Sequence, residues 1–583
     1  MPSPCIATIF TDQLILYMRN LKTFLQRLPQ VNANALIALS TLFIVTFNNR
    51  TFWHQLFGVI DTNSQSHTLF IVAVAALQFT LLYVFLSLFA WHRWLKPLLA
   101  LALVSSAALG YFMDAFGTVV DTHMIQNAME TDSAEALDLL SPSMIGHLFI
   151  YGMLPGLLVL LMPIKQQRWN RSLAQRLVLL SVTLSITATL SYFSYRDISF
   201  IFRENRAITF MINPLYPLRS AIKYVRDQHT RPAEFQVVFD DAHRNPMLAN
   251  EQRHSLFVMV LGETARADNF HLNGYSRETT PELEQHQVLN FRNTSSCGTA
   301  TAISVPCIFS VLDHDNYDDG TARNSENLMD ALKRAGIETL WRENNSGCKG
   351  VCARTPTQTM VELNPQDFCN EDGCFDEALL FRLQDFIDRL DHDAVIVLHQ
   401  QGSHGPAYFK RYPQQFARFQ PACNQADVQN CSYQEVVNAY DNSILYTDHV
   451  LGRVIDLLKA NSQRFDTAML YVSDHGESLG ENGVFLHGLP YLIAPSQQTH
   501  VPFMMWLSKP FMASRQLDEQ CLSRQQQANW SHDNILHSVL GASGVLTKRY
   551  DPAMDIFSAC RNPSTDRIAG QPGAGETGTD HLL

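Results

Sequence analysis

Three polar clusters in the second half of this 583-residue chain each follow a run of apolar residues. GETARADNFHLNGY comes after SLFVMVLG (255 to 262), HQQGSHGP closes DAVIVLHQ (393 to 400), and SDHGESLGENG closes TAMLYVSDHG (467 to 476). Glu263, Asp474 and His475 supply two carboxylates and an imidazole, a ligand mix suited to Zn2+. Asp474 and His475 are adjacent and can reach one ion only from a turn, which Gly476 in SDHGES favours. The same residues also suit an ordinary charged loop with a helix cap. Between Cys297 and Cys307, CGTATAISVPC offers hydroxyls at Thr299, Thr301 and Ser304. A hydroxyl beside a metal ionises more readily and can attack phosphorus. A helix starting near Thr301 would also turn free N–H groups toward phosphoryl oxygens. Threonines cap helices too, and spacing does not choose between Thr299 and Thr301.

These clusters need a scaffold that brings distant segments to one edge. Short apolar runs alternate with helical patterns at 324 to 335, 376 to 390 and 436 to 460, which predicts an α/β domain with a mostly parallel sheet. Ligands in such sheets bind beyond the carboxyl ends of the strands, where all three clusters fall. Ten of the eleven cysteines lie in this half, an even number that indicates disulfides and an oxidising compartment. Joining near neighbours pairs Cys297 with Cys307, Cys348 with Cys352, Cys369 with Cys374 and Cys423 with Cys431, leaving Cys521 for Cys560. A structural zinc site is the competing reading. The Cys348/Cys352 spacing allows it, but no second close doublet matches.

The first half differs in kind. Residues 1 to 230 hold 16 basic and 11 acidic side chains, and the remainder 27 and 44, within a net charge of −12. That sign disfavours a nucleic-acid partner. Five apolar stretches, at 31 to 49, 67 to 91, 97 to 117, 146 to 164 and 175 to 195, each approach the about 20 residues that a helix needs to span a bilayer. Arg19, Lys22 and Arg27 precede the first, Arg93 and Lys96 join the second to the third, and Lys165, Arg168, Arg171 and Arg176 join the fourth to the fifth. The positive-inside rule puts these segments inside, and the acidic segment 118 to 145 outside. Five crossings then deliver the cysteine-bearing half to the outer side. The basic N-terminus runs into a long apolar stretch without a small-residue cleavage site, so the first helix should remain as an anchor.

The expected organisation is a membrane domain of five transmembrane helices over 1 to 196, an interfacial helix and linker over 197 to 235, a catalytic domain over 236 to 561, and a disordered Gly, Pro, Asp and Thr-rich tail over 562 to 583.

In order after the five apolar stretches, GETARADNFHLNGYSRETTP, SCGTATAISVPCIFS, NNSGCKGVC, HQQGSHGPAYFKRYP, NAYDNSILYTDH and SDHGESLGENGVFLHG resemble the bacterial phosphoethanolamine transferases that modify lipid A, a family that includes the mobile colistin-resistance enzymes. The resemblance spans about residues 30 to 555. It implies an alkaline-phosphatase/sulfatase-like outer domain on a five-helix anchor in the bacterial inner membrane, facing the periplasm. It also implies a monomer that moves phosphoethanolamine from phosphatidylethanolamine to a lipid A phosphate. It selects Thr301 as nucleophile and gives zinc the ligands Glu263, Thr301, Asp474 and His475, with Asn345, Lys349, His404, Glu477 and His487 as phosphate or second-metal contacts. His399 is left without a role. Asn127, Thr131 and Glu135 recur every four residues and would form one polar stripe on a helix, where the resemblance places donor-lipid recognition.

Two other readings compete. One is another enzyme of the same superfamily, or a transferase acting on core sugars or a periplasmic glycan. A sulfatase usually has Cys or Ser in a different nucleophile motif, and GTATA argues against it. The other is a receptor or scaffold on a degenerate phosphatase fold, which the intact Glu263, Thr301, Asp474 and His475 disfavour.

Overall fold

The structure is a computed structural model that describes residues 30–561 except 61–64, 90–91, 132–135, 137–138, 166, 230–233, 250–252 and 371. Cys5, Arg19, Lys22, Arg27, Glu135 and the tail from 562 lie outside the described residues. The chain divides into two compact units, Met1–Asp121 with Leu140–Ile222, and Thr122–Leu139 with Lys223–Leu583. The first division falls inside the acidic segment between two apolar stretches, and the second inside the segment expected to be interfacial.

In the first unit, His67–Phe89, Leu95–Phe116, Pro142–Leu161 and Asn170–Phe193 are long and apolar enough to cross a membrane, and the pair Ala33–Phe47 and Arg50–Gly58, bent by 53°, makes a fifth when taken as one span. The bend falls at Asn48 and Asn49. The Asn49 amide donates to the carbonyls of Ile44 (2.9 Å) and Asn213 (2.8 Å) and accepts from Gln78 (2.7 Å). Buried amides in an apolar medium need such partners, and the chain bends to supply them. Arg176 departs from its expected place in a connection. It lies buried in the helix Trp169–Phe193 and donates to Asn34 Oδ1 (3.1 Å) and the Ser87 carbonyl (2.8 Å). The segment read as interfacial forms the helices Tyr195–Glu204, Arg206–Phe210 and Leu215–His229.

The second unit is built on a seven-stranded sheet: β1 (His254–Gly262), β2 (Leu289–Asn290), β3 (Glu338–Glu343), β4 (Thr357–Thr359), β5 (Ala394–His399), β6 (Phe465–Ser473) and β7 (Phe503–Leu507). Their order is β2-β7-β6-β1-β5-β3-β4. Only β7 runs against the others in this sheet. β5 and β6 are buried along their whole length, and β1 beyond its first residue, which explains why they read as continuous apolar runs. The register sets Ser473 beside Gly262, Leu261 beside His399 and His399 beside Glu343. The residues that follow β1, β3, β5 and β6 therefore emerge at one edge.

All five expected cysteine pairs are disulfides in this unit. The pattern at 436 to 460 is the helix Tyr433–Asn461, started by a capping box of Ser432 and Glu435. The pattern at 376 to 390 is not one helix. It divides into a 3-10 turn, Asp376–Leu380, and the short helix Leu383–Ile387, because Arg382 between them has φ 53°.

A charge cluster ties the helix Pro281–Gln285 to the long helix. The backbone N–H groups of Glu282 and Leu283 donate to Asp448, while His449 meets Glu282 at 2.8 Å and Glu377 at 3.5 Å. Glu377 holds the His449 imidazole protonated up to about 9 against its burial, with Glu282 adding to the effect, and burial pushes Asp448 up to about 7. Both folded values exceed the unfolded ones. The stabilisation from Asp448 is therefore complete below about pH 4 and lost by about 7, and that from His449 is complete below about 6.5 and lost through about 9. Thermal unfolding of the full chain in detergent should show a loss of stability between pH 6.5 and 9. His449→Gln should remove up to about 2 kcal/mol of that slope. An unchanged slope in the variant would refute the assignment.

Candidate active site and metal centre

Glu263 follows β1, and Asp474 and His475 follow β6. One ligand atom from each lies within 4.8 Å of the others, and all three residues are buried. The backbone holds them by specific bonds. Asp474 N–H donates to the Gly262 carbonyl (3.0 Å), and Asp474 Oδ1 accepts from the N–H groups of Thr264 (3.1 Å) and His475 (2.7 Å). Thr264 has φ 59°, a costly conformation for a β-branched residue. It is kept there by its own hydroxyl on Glu263 Oε1 (2.6 Å) and by Tyr440 donating to its carbonyl (2.8 Å).

Gly402, at φ 56°, crosses directly over Glu263. A Cβ there would lie 2.5 Å from the Glu263 carbonyl oxygen, so both conformation and space require glycine. Gly402→Ala should cost more than about 2 kcal/mol of stability and weaken zinc binding. Calorimetry showing unchanged values for both would contradict this packing.

Thr301 is the first residue of the helix Thr301–Ile308, which is buried throughout. Its hydroxyl donates toward both Glu263 oxygens at 3.1 Å and lies 3.3 Å from His475 Nε2. Thr299 instead donates to the Leu489 carbonyl (2.6 Å). Ser304 is buried on the same helix. Of the three hydroxyls the sequence left open, that of Thr301 meets the acidic cluster.

The electrostatics suit a cation. Burial and the Glu263 charge push Asp474 up to about 7. Burial opposes ionisation of Glu263, but the hydrogen bond and charge of His475, with the charges of His404 and His487, hold it well below the usual carboxylate range. His475 rises to about 10 because Asp474 and Glu263 outweigh its burial. Asp474 Oδ2 is buried without a hydrogen-bond partner. Two carboxylates and an imidazole converge there, with Asp474 Oδ2 making only the 3.3 Å ion pair to His475 Nε2; this donor set fits a zinc ion, and Thr301 is placed to complete it.

The other expected residues surround this cluster. Asn345 donates to Glu263 Oε2 (2.6 Å) and the Gln400 carbonyl (2.9 Å). Glu477 accepts from Tyr408 (2.6 Å) and meets His487 Nδ1 at 2.8 Å. The His487 ring centre lies 4.4 Å from that of His475 and 5.2 Å from that of His404. His399 is buried and pairs with Glu343 (2.9 Å), which also accepts from Trp341 (2.8 Å). Its Nε2 lies 3.3 Å from Asn345. His399 thus supports a residue that orients Glu263.

Lys349 donates to Ser346 Oγ (2.9 Å) and to the carbonyl of Glu130 (3.2 Å), the last residue of the helix Thr122–Glu130. This helix carries Asn127 but ends before Thr131, whose hydroxyl donates to the Asn127 carbonyl (2.7 Å). Thr131 thus lies one residue past the helix end, still bonded to Asn127, while Glu135 lies outside the described residues. Sequence reasoning missed Arg323, which joins this helix to the helix Thr301–Ile308. Arg323 pairs with Glu130 (3.1 Å) and Asp319 (2.7 Å) and donates to the Ala302 carbonyl (2.8 Å). Tyr408 was also missed, although it lies inside the recognised HGPAYF segment.

A parallel sheet with this cluster beyond its carboxyl ends, on a chain with membrane-spanning helices, defines a membrane-anchored enzyme of the sulfatase and alkaline-phosphatase fold class. Residues 255–545 match the sulfatase family and residues 78–229 match the phosphoethanolamine transferase EptA/EptB family. Phosphoethanolamine transferase EptA of Escherichia coli K12 is 39% identical over 548 residues, covering 93% of this chain and 100% of that protein. Phosphatidylethanolamine transferase Mcr-2 of E. coli is 40% identical over 493 residues, covering 82% and 90%. The integral membrane lipooligosaccharide phosphoethanolamine transferase A (EptA) from Neisseria meningitidis superposes with a TM-score of 0.89 at 35% identity, covering 92% of this chain and 100% of that one. The chain belongs to the lipid A phosphoethanolamine transferase family.

Proposed function

We propose that the chain transfers phosphoethanolamine from phosphatidylethanolamine to a lipid A phosphate through a covalent phosphoethanolamine adduct on Thr301. The carrying observation is the Thr301 hydroxyl at the start of a buried helix, 3.1 Å from both oxygens of Glu263 and 3.3 Å from His475. Glu263, Asp474, His475 and Thr301 would hold one Zn2+, and a second ion entering with substrate would find Glu477, His404 and His487. Bound there, zinc supplies positive charge that favours the ionised hydroxyl and the charged phosphoryl oxygens.

The rest follows from the chain's own groups. Thr301 Oγ attacks the donor phosphorus, and diacylglycerol leaves with a proton. An acceptor phosphate oxygen then displaces Thr301. Asn345 keeps Glu263 in place, while Lys349, His404 and His487 bound the space for phosphoryl oxygens. Asn127 and Thr131, on and just after the helix Thr122–Glu130 that Arg323 and Lys349 hold, would form the donor-headgroup side, together with Glu135 of the recognised stripe. In this reading residues 1 to 196 anchor a monomer in the inner membrane, 197 to 235 lie at the interface, and 236 to 561 catalyse in the periplasm.

Exchanging lipid A negative charge for a zwitterion weakens attraction of cationic peptides by about 1 kcal/mol per basic residue. Mass spectrometry of lipid A from a Gram-negative host expressing the chain should show the addition of one phosphoethanolamine together with lowered polymyxin susceptibility. Unmodified lipid A with phosphoethanolamine on core sugars or a periplasmic glycan would overturn the acceptor assignment.

A further inference from the structure

Thr301 and the three zinc-ligand candidates reach the site on separate segments, and a histidine that the mechanism does not use joins those segments. The strand Asn529–Ser531 runs parallel to Asn293–Ser295, with Ser531 beside Ser295, so His532 comes next to the stretch that leads into Cys297. Its N–H donates to the Ser295 carbonyl (3.0 Å). His532 stands at the start of the helix Asp533–Ser543, yet its side chain makes no cap there. The residue is only 1% exposed, and its ring is spent elsewhere.

Both ring nitrogens are committed. Nδ1 accepts from the Cys297 N–H (3.0 Å), and Nε2 donates to the Ser473 carbonyl (2.9 Å). A neutral imidazole with its proton on Nε2 is the form that makes both bonds. Burial, with the charges of His475 and His314, pushes the ring down to about 3 against the pull of the Ser473 carbonyl. Each bond grips a segment close to the reacting groups. Cys297 lies four residues before Thr301, and its carbonyl accepts from His314 Nδ1 (2.8 Å). His314 is held in turn by Asp533, which accepts its N–H (2.9 Å). Ser473 directly precedes Asp474. The Ser473 hydroxyl donates to the His475 carbonyl (2.9 Å) and accepts from the N–H of Ala265 (2.9 Å), two residues after Glu263.

We propose that His532 is a positioning residue for the transfer: by joining the Cys297 backbone to the Ser473 backbone, it sets where the Thr301 hydroxyl stands relative to Glu263, Asp474 and His475. This role rests on the reading of Thr301 as nucleophile. The Cys297–Cys307 disulfide closes the loop around Thr301 on itself, whereas His532 ties that loop to the strand leading into two of the ligands. A misplacement of about 1 Å at a reacting atom costs on the order of 10^2 in rate, so a link of this kind acts on turnover more than on binding.

The test compares two variants of the full chain in nanodiscs, each loaded with zinc. His532→Phe keeps an aromatic ring and loses both bonds, while the amide of His532→Gln can accept from Cys297 and donate to Ser473. The phenylalanine variant should hold its zinc within about twofold and its KM for phosphatidylethanolamine within about threefold, while kcat falls about 10^2-fold. Amide exchange in the peptide containing Cys297 should be faster by about tenfold. The glutamine variant should return kcat to within about tenfold of the parent and restore the slow exchange. A folded, zinc-loaded phenylalanine variant with kcat within about threefold of the parent would overturn the proposal. So would a fall in kcat matched by an equal fall in zinc content, which would leave His532 holding the fold alone. If the phenylalanine variant does not fold, the glutamine variant decides: kcat within about tenfold supports the role, and a larger loss in folded, zinc-loaded protein overturns it. Parent protein that forms no adduct on Thr301 would sink the nucleophile reading itself, whereas failure of the positioning role appears only in the variants.

Discussion

Full-length Thr301→Ala protein should fold and retain most of its zinc while transferring phosphoethanolamine about four orders of magnitude more slowly, the scale on which removing a nucleophile acts. The hydroxyl occupies the start of a buried helix and faces Glu263 and His475. Thr299→Ala is the informative partner. Its hydroxyl is spent on the Leu489 carbonyl, so that change should cost about 1 kcal/mol of stability and leave most turnover intact. Near-normal activity in folded Thr301→Ala protein, or a larger loss in Thr299→Ala, would remove Thr301 from the centre of the mechanism.

Exhaustive removal of zinc should lower turnover by about 10^3-fold or more and also lower the unfolding temperature. The second effect comes from burial. Glu263 and Asp474 face each other in the interior with His475 between them, and Asp474 keeps an oxygen without a hydrogen-bond partner. Without a cation these groups retain a desolvation cost that His475 alone offsets only in part. Adding zinc back should restore both quantities, and Asp474→Ala should lose activity that zinc cannot restore. Full turnover in metal-free protein, verified by elemental analysis, would contradict the assignment.

Much of this arrangement was legible because the informative signals were local. The continuous apolar runs of β1, β5 and β6 marked strands buried on both faces, and the polar residues just after them marked the functional edge. The cysteines paired as near neighbours because four of the five loops are short, closing over 10, 4, 5 and 8 residues. What stayed hidden depends on contacts distant in sequence or on backbone conformation. Arg323 reaches Glu130 across 193 positions, and no spacing rule announces that pair. Glu343 supports His399, and through it Asn345, by side chains on adjacent strands. Periodicity also misled where the backbone changed direction. Arg382 in a left-handed conformation divides the pattern at 376 to 390. In the first unit the apolar stretch at 31 to 49 bends at Asn48 and Asn49, a step set by partners as remote as Asn213.

The covalent adduct tests the central claim most directly. Full-length protein in nanodiscs should be given phosphatidylethanolamine without an acceptor, quenched in acid, digested and analysed by mass spectrometry. The peptide containing Thr301 should carry one phosphoethanolamine, the modification should disappear when lipid A is added, and Thr301→Ala protein should show none. Sustained transfer without any adduct in a single turnover, or an adduct on a different residue, would contradict the account.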